Sequence, residues 1–395
     1  MILKYIHSDN TKELIELDLD VNTTSRWINI SSSNKLEFIK VFLPAFYSGQ
    51  KIVLFDSNHK QLAQFHQDND ISRFDRFKEA DLKSQLLLFT SGSSGFPVGA
   101  FKTRENLLKE VEVLKELLSK YNIKRVVATV PFVHIYGVLA GLMLPLSLND
   151  VKLIVKEDYL PYELLEEASH KNTLVITTPV FIKSLAKLSE EKDLSGNVFI
   201  CSTGPLNHDD VSAFESMYQV DLLQLFGSTE TGGIAYKFSD ADVWTPLSSV
   251  KVFSHDDKLS IESPFISPYI LNDKIRSLSQ PFTTEDIVDI QESGFILLGR
   301  SNKIIKIAGK RISASQVESI LESLDDVNAA VVELVYKKEL LRSEQIKITL
   351  EANREISNKE IKAKINEYYG VLTVPFKVVY TDKINYSAMG KKVLF

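Results

Sequence analysis

A single cysteine, Cys201, among 395 residues excludes an internal disulfide framework. No apolar run approaches the ~20 residues of a membrane-spanning helix, and the start MILKYIHSDN lacks the charged, apolar, then small order of a secretory signal. Basic runs and interleaved cations and aromatics are missing too, and the formal charge of -6 is spread along the chain, so a nucleic-acid surface is not expected. There is no Gly-x-Ser-x-Gly elbow, no His-Glu-x-x-His, no histidine cluster and no set of kinase loops, which argues against a hydrolase, a zinc enzyme or a kinase. Internal repeats and low-complexity segments are likewise absent. What remains is a cytoplasmic globular protein with no membrane association. Its 44% apolar and 25% charged residues leave room for a large core and more than one domain.

The stretch INISSSNKLEFIKVFLPAFYSGQKIVLFD reads as strand, helix and strand. Leu36, Ile39, Phe42, Leu43 and Phe46 repeat at helical spacing, and Gly49 stops the helix. A second such unit starts at Leu86, with Leu107, Val111, Leu114, Leu117 and Leu118 on one helix face and a strand from Val126 to Val130. Short apolar runs at Lys152–Val155, Leu174–Thr177, Val198–Cys201 and Leu222–Phe226 alternate with helical segments, as in a mainly parallel sheet covered by helices. From Val250 to about Leu298 the period shortens to that of a small β subdomain. After Arg300, Ser315-Gln-Val-Glu318 and Ser357-Asn-Lys-Glu360 are helix-opening capping boxes, with strand-like runs between and after them. The expected fold is α/β: a large N-terminal domain, 1–300, of mainly parallel sheets with a small β subdomain, then a small α+β C-terminal domain, 301–395.

Three segments carry candidate chemistry. Thr90-Ser-Gly-Ser-Ser-Gly95 follows a buried strand and offers four hydroxyls and two glycines, the make-up of a backbone cradle for phosphate. No Gly-Lys-Ser/Thr closes it, so it is not a P-loop, and an inert turn is the competing account. Gln224-Leu-Phe-Gly-Ser-Thr-Glu-Thr-Gly-Gly233 sets an aromatic, hydroxyls and a carboxylate at the end of an expected strand, where ligands of α/β sheets bind. By itself it also reads as a glycine-rich turn with a solvated glutamate. Gly299-Arg-Ser-Asn-Lys-Ile-Ile-Lys-Ile-Ala-Gly-Lys-Arg-Ile312 packs five cations into a strand-turn-strand, which an aggregation-blocking edge would also explain.

In order and spacing these three resemble the core motifs of adenylate-forming enzymes, the superfamily of acyl- and aryl-CoA synthetases, luciferases and peptide-synthetase adenylation domains. Further matches extend the resemblance over nearly the whole chain. Pro131-Phe-Val-His-Ile-Tyr-Gly137 is similar to the family's histidine-bearing motif beside the acid pocket, and Ser202-Thr-Gly-Pro-Leu206 to the segment lining the adenine and acid sites. Thr283-Thr-Glu-Asp286 stands where the family has Thr-Gly-Asp, and Ser387-Ala-Met-Gly-Lys391 where it ends in Gly-Lys. The resemblance implies ATP-dependent activation of a small-molecule carboxylic acid. Lys391 would bridge carboxylate and nucleotide as the chief catalytic residue, countering the repulsion between two anions. Thr229 would contact the α-phosphate, Glu230 would ligate Mg2+, and Asp286 and Arg300 would hold the ribose. Phe226, with Gly227 and Ser228 beside it, would stack on adenine, next to Thr203, Gly204 and Pro205. Thr90, Ser91, Gly92, Ser93, Ser94 and Gly95 would clamp the departing phosphates, and His134 would border the acid channel. The resemblance also implies a mobile C-terminal lobe that turns about Ser301-Asn302 between two half-reactions, bringing Lys306 and Gly309 to the centre for the second.

Some positions depart from the family pattern. Val98 stands where a phosphate-binding lysine is usual, and Lys102, four residues on, is the expected stand-in; Asn302 and Glu285 replace a hinge aspartate and a glycine. The Lys-Thr pair Lys102-Thr103 resembles the short ligases of bacterial aryl-polyene clusters. That likeness tilts the expected acid toward an aryl or hydroxyaryl one, ahead of a medium-chain or hydroxy fatty acid. The thiol acceptor is coenzyme A or the phosphopantetheine of an acyl carrier protein, and residues do not choose between them. A protein that keeps the fold and the nucleotide but no longer turns over is the alternative that Val98 and Asn302 raise.

Overall fold

The computed structural model describes residues 2–6, 11–16, 27–31, 34–57, 63–64, 83–90, 98–188, 190–272, 274–301, 304–307, 310–336, 344–369, 376–386 and 392–393. Among them two large sheets organise the first 300 residues. A 13-stranded sheet is parallel from Ile2–Ile6 through Lys152–Lys156, Arg125–Ala128, Thr173–Thr177 and Val198–Cys201 to Asp221–Ser228. At Asp221–Ser228 the sense reverses: Gly232–Phe238 pairs with it antiparallel, and Val243–Pro246, Gly294–Arg300, Phe282–Gln291, Lys258–Glu262 and Lys251–His255 continue the sheet that way.

The parallel strands are apolar at consecutive positions because both faces are covered. Val126 and Ala128 face one core with Leu107, Val111 and Leu114 of the helix Arg104–Leu117 and with Phe38 and Phe42 of the helix Lys35–Tyr47. Val127, between them, faces a second core with Leu164, Ile182 and Phe214 from the helices Pro161–Ala168, Pro179–Leu185 and His208–Tyr218. One strand thus serves two layers by alternation.

The second sheet has six strands. Ile28–Ile30, Ile52–Leu54 and Ser84–Thr90 run parallel, and the expected strand-helix-strand unit is present with Ile28 opposite Ile52. The unit expected from Leu86 is different. Ser84–Thr90 turns back as a hairpin onto Val98–Thr103, with Thr90 opposite Val98, before the helix begins at Arg104, and Arg125–Ala128 lies in the other sheet. The Ser/Gly stretch therefore joins two antiparallel strands rather than a strand and a helix. The helix opens on a reciprocal cap: Asn106 N–H donates to the Thr103 hydroxyl at 3.0 Å, and Thr103 N–H to the Asn106 carbonyl at 3.0 Å, a contribution of about 1 kcal/mol.

Beyond residue 300, Ile304–Ile307 pairs antiparallel with Lys310–Ser313. The helices Ala314–Glu322 and Asn358–Tyr369 pack on a sheet of Val327–Tyr336, Glu344–Ala352 and Phe376–Tyr380 around Val317, Leu321, Ile348, Leu350 and Ile361. The second capping serine is where the motif puts it, Ser357 accepting from Glu360 N–H at 3.2 Å. The first is two residues early: Ser313 caps the helix, accepting from Gln316 N–H at 3.4 Å, and Ser315 lies inside it. Among the described residues no helix is long and apolar enough to cross a membrane.

Candidate nucleotide and acid site

Because the central strands are parallel, the loops that follow them leave by one edge. Pro131–Tyr136 follows Arg125–Ala128, Thr178 follows Thr173–Thr177, Ser202–Pro205 follows Val198–Cys201, and Thr229–Thr231 follows Asp221–Ser228. Three sequence-predicted segments, with Thr178 beside them, thus converge at the edge where α/β sheets hold ligands. The Ser202 hydroxyl donates to Leu225 O at 2.9 Å, tying this loop to the neighbouring strand Asp221–Ser228. Thr203 adopts a left-handed φ of 87°, a conformation a β-branched residue takes only under constraint.

The turn after Asp221–Ser228 is closed and anchored. Ser228 N–H donates to the Thr231 hydroxyl at 3.0 Å, and Thr231 N–H to the Ser228 hydroxyl at 3.2 Å. Thr229 and Glu230 sit half-buried at its tip. The Glu230 carbonyl accepts from Ser267 N–H at 2.8 Å and from Lys102 Nζ at 3.3 Å. Lys102 is fully buried and donates also to Phe265 O at 2.6 Å, which corrects the expected phosphate contact: its ammonium is committed to carbonyls inside the protein. Burial holds its pKa down to about 8, against the opposing pull of Glu110 and Glu230. Glu110, buried on the helix Arg104–Leu117, accepts from Gly233 N–H at 2.7 Å. Burial raises its carboxyl above the usual range, while Lys102 and that N–H pull it down.

Asp286 and Arg300 face each other in register across two antiparallel strands, Arg300 Nε lying 3.3 Å from Asp286 Oδ1. Burial raises the Asp286 carboxyl, opposed by the Arg300 guanidinium and the Thr284 side chain. Glu285, in the family's glycine position, pairs with Lys258 at 2.9 Å and accepts from the Ser301 hydroxyl beside the expected hinge. Phe226 is half-buried, its ring 5.4 Å from Trp244 and 5.9 Å from Phe295, so part of its surface is already taken by protein. Gly227 pairs closely with the opposite strand: a Cβ there would lie 2.3 Å from Gly232 O.

His134 is half-buried with Nε2 3.7 Å from Asp56 Oδ2. The chain after it forms a π-helical turn, Gly137–Met143, of the kind often found at functional sites. A Cβ on Gly137 would meet Pro131 O at 1.9 Å, so the residue there must be glycine. Tyr136 donates to Thr177 O at 3.2 Å and Ile200 O at 2.8 Å, and burial raises its phenol well above the usual value.

Ser91, Gly92, Ser93, Ser94, Gly95, Asn302, Gly309 and Lys391 lie outside the described residues, as do the side chains of Thr90 and Lys306. Lys392, next to Lys391, has its Nζ 2.5 Å from Glu322 Oε1 and 3.3 Å from Glu318 Oε2, and donates to Ala330 O at 2.7 Å. Sequence reasoning missed Asp56, Lys35 and Glu110. Only Glu110 carried a signal: it occupies an apolar-stripe position, three residues after Leu107 and four before Leu114.

The sequence profile described as AMP-binding enzyme matches residues 48–264. A 4-coumarate--CoA ligase of Cereibacter sphaeroides is 25% identical over 256 residues, 64% of this chain and 57% of the ligase. A putative long chain fatty acid-CoA ligase, VraA, of Staphylococcus aureus strain COL is 23% identical over 319 residues, 77% of this chain and 68% of that protein. This chain thus spans little more than half to two-thirds of the length of these relatives. Among solved structures, ATP-bound MatB from Rhodopseudomonas palustris superposes with a TM-score of 0.79 at 15% identity, covering 99% of this chain and 94% of MatB. MenE from Bacillus subtilis with its acyl-adenylate OSB-AMP superposes at 0.78 and 17% identity, with the same coverage. The fold is that of MatB and MenE.

Proposed function

Since this chain belongs to the AMP-binding enzyme family, we propose that it is an AMP-forming acid–thiol ligase. A carboxylate oxygen attacks the α-phosphorus of ATP, the bond to the β-phosphate oxygen breaks, and acyl-AMP and pyrophosphate form. A thiol then attacks the acyl carbonyl, and AMP leaves with the thioester made. The reading rests above all on one observation: Pro131–Tyr136, Ser202–Pro205 and Thr229–Thr231 share one edge of a parallel sheet.

The roles follow from position. Thr229, at the anchored tip, offers a hydroxyl to the α-phosphate, and the Asp286 carboxylate accepts from ribose hydroxyls with Arg300 beside it. Phe226 stacks on adenine with what its contacts to Trp244 and Phe295 leave free. The half-buried Glu230 carboxylate is a hard oxygen donor suited to Mg2+, a cation that takes few protein ligands and supplies charge neutralisation on the phosphates. The Ser/Gly stretch, residues 90–95, holds the leaving phosphates, and His134 with Asp56 borders the acid channel. Lys391 neutralises the encounter of carboxylate and phosphate. A C-terminal domain, 301–395, rotates about Ser301 and Asn302 between the steps, bringing Lys306 and Gly309 to the centre for the second. An aryl or hydroxyaryl acid is the favoured substrate, in keeping with the 4-coumarate ligase among its relatives. The fatty acid ligase among them keeps a fatty acid as second choice. Coenzyme A or a carrier-protein phosphopantetheine accepts the acyl group, and the enzyme works in the cytoplasm.

A pyrophosphate-release screen over aryl, hydroxyaryl and aliphatic acids, with and without coenzyme A, tests this. The expected result is acid-dependent release that Lys391→Ala abolishes while still binding MgATP. No release with any acid, or adenylate formed at the parental rate by Lys391→Ala, overturns the reading or that residue's role.

A further inference from the structure

We propose that Lys102 and Glu110 are positioning residues that hold the Thr229–Thr231 turn at its tip and just beyond it and preset it for MgATP. The inference rests on the reading of Thr229 and Glu230 as nucleotide contacts. Lys102 holds the tip through the Glu230 carbonyl at 3.3 Å, and Glu110 holds the start of the strand that leaves it through Gly233 N–H at 2.7 Å. Neither side chain reaches solvent, since Lys102 is 0% and Glu110 5% exposed. Their charges are therefore spent inside the protein, on backbone groups.

A shelf built by the segment Ser263–Ser267 makes the grip rigid. Pro264 O accepts from Asn106 Nδ2 at 2.6 Å, Phe265 O accepts from Lys102 Nζ at 2.6 Å, and Ser267 N–H donates to Glu230 O at 2.8 Å. Asn106 belongs to the cap of the helix that carries Glu110. The Glu230 carbonyl is thus clamped between a strand and this shelf, both remote from it in sequence, and the shelf is itself tied to the helix through Asn106. The two glycines that follow the turn face the same carboxylate. A Cβ on Gly232, at φ +70°, would lie 2.6 Å from Glu110 Oε2, and one on Gly233 3.2 Å from Oε1. Glu-Thr-Gly-Gly is glycine-rich here partly because a buried carboxylate occupies the space a side chain would need.

A buried cation and carboxylate of this kind are poor stabilisers compared with apolar residues of equal size. Their directional donors and acceptors do fix a backbone that apolar packing would leave free to shift. The turn bears the two residues whose placement decides nucleotide contact, which is where such fixation has an effect.

The test compares K102M, E110Q and K102M/E110Q with the parental protein. The readouts are thermal stability, hydrogen exchange of amides 228–233, the Kd of MgATP by calorimetry, and the separate KM values for ATP and acid. K102M should speed exchange in 228–233 and weaken MgATP by about tenfold, the worth of one charge-assisted hydrogen bond. Exchange in Arg125–Ala128 and the KM of the acid should stay at parental values. E110Q keeps an acceptor for Gly233 N–H and should lose less. The double variant, with no unpaired buried charge, should recover stability yet keep the MgATP defect, which also covers the case in which K102M alone does not fold. Parental MgATP affinity and parental exchange at 228–233 in a stable double variant would overturn the proposal. So would faster exchange spread evenly over the sheet. Hydrogen exchange and MgATP binding need no turnover. If the parental protein binds MgATP but adenylates no acid, the ligase reading falls and these measurements still judge Lys102 and Glu110.

Discussion

Asp286 illustrates how single groups are tuned at this site. Burial raises its carboxyl while Arg300, 3.3 Å away, pulls it down. To accept from a ribose hydroxyl as proposed, Asp286 must be ionised, so nucleotide binding should weaken as pH falls through its pKa. In Arg300→Gln the opposing pull is lost and the pKa rises further. The acid limb of the pH profile of the KM for ATP should therefore move to higher pH, while the KM of the acid is unaffected. A limb at the parental pH would remove Arg300 from this role. Asp286 and Arg300 stand in separate motifs of the sequence, and the structure sets them in register across two strands. Lys102 was not legible in the sequence: proximity to the Ser/Gly stretch suggested a phosphate contact, yet it lies on the strand Val98–Thr103 with a fully buried side chain. Distance along the chain carries no information about which face of a strand a residue takes until the strand itself is recognised.

At the scale of elements, the helix Lys35–Tyr47 and the parallel strands were readable from periodicity, since each buries a regular stripe or a continuous apolar run. The hairpin Ser84–Thr90 to Val98–Thr103 was not. Val98–Thr103 is short, and its outer neighbour is Tyr269–Leu271, more than 160 residues on, so its strand character comes from a distant partner. Lys35 shows what such packing demands of a polar group. Its ammonium is buried and donates to Ala128 O at 3.3 Å, Thr129 O at 3.2 Å and Lys156 O at 2.9 Å, closing the ends of two parallel strands beside the His134 loop. Burial lowers its pKa to about 8 from 10.5, with Glu157 and Asp158 opposing. Between these values the unfolded chain binds more protons at Lys35 than the folded one, so this residue's contribution to stability rises with pH across that window. Urea unfolding of parental and Lys35→Met proteins at pH 7.5, 8.5 and 9.5 isolates it from the other titrating groups. The parental-minus-variant difference should grow by about 1.4 kcal/mol per pH unit at its steepest. A difference that stays flat across the window would mean that the ammonium is not held as the structure has it.

For the whole molecule, the informative contact joins the part before residue 300 to the part after it. Lys183, on the helix Pro179–Leu185, has Nζ 3.3 Å from Glu322 Oε2 and 3.7 Å from Asp210 Oδ2. Glu322 also holds Lys392, the residue after Lys391, and burial of its carboxyl is outweighed by Lys392 and Lys183, which keep it below the usual range. The ion chain thus runs from the helix layer of the large sheet to Lys392, the residue that follows the proposed catalytic lysine. If 301–395 rotates as proposed, the Lys183–Glu322 contact belongs to one orientation and breaks in the other, whereas Glu322–Lys392 travels with the rotating part. Lys183→Met removes the first and leaves the second. A pair whose lysine is partly exposed, even with its carboxylate buried, is worth on the order of 1 kcal/mol, which moves a two-state equilibrium by about fivefold. Acid-dependent ATP–pyrophosphate exchange and thioester formation from preformed adenylate should therefore change in opposite directions, one rising as the other falls. High salt should bring parental and variant proteins together, because screening weakens the pair in the parent. If both half-reactions keep their parental rates, or fall together, this contact does not set the orientation of the C-terminal part.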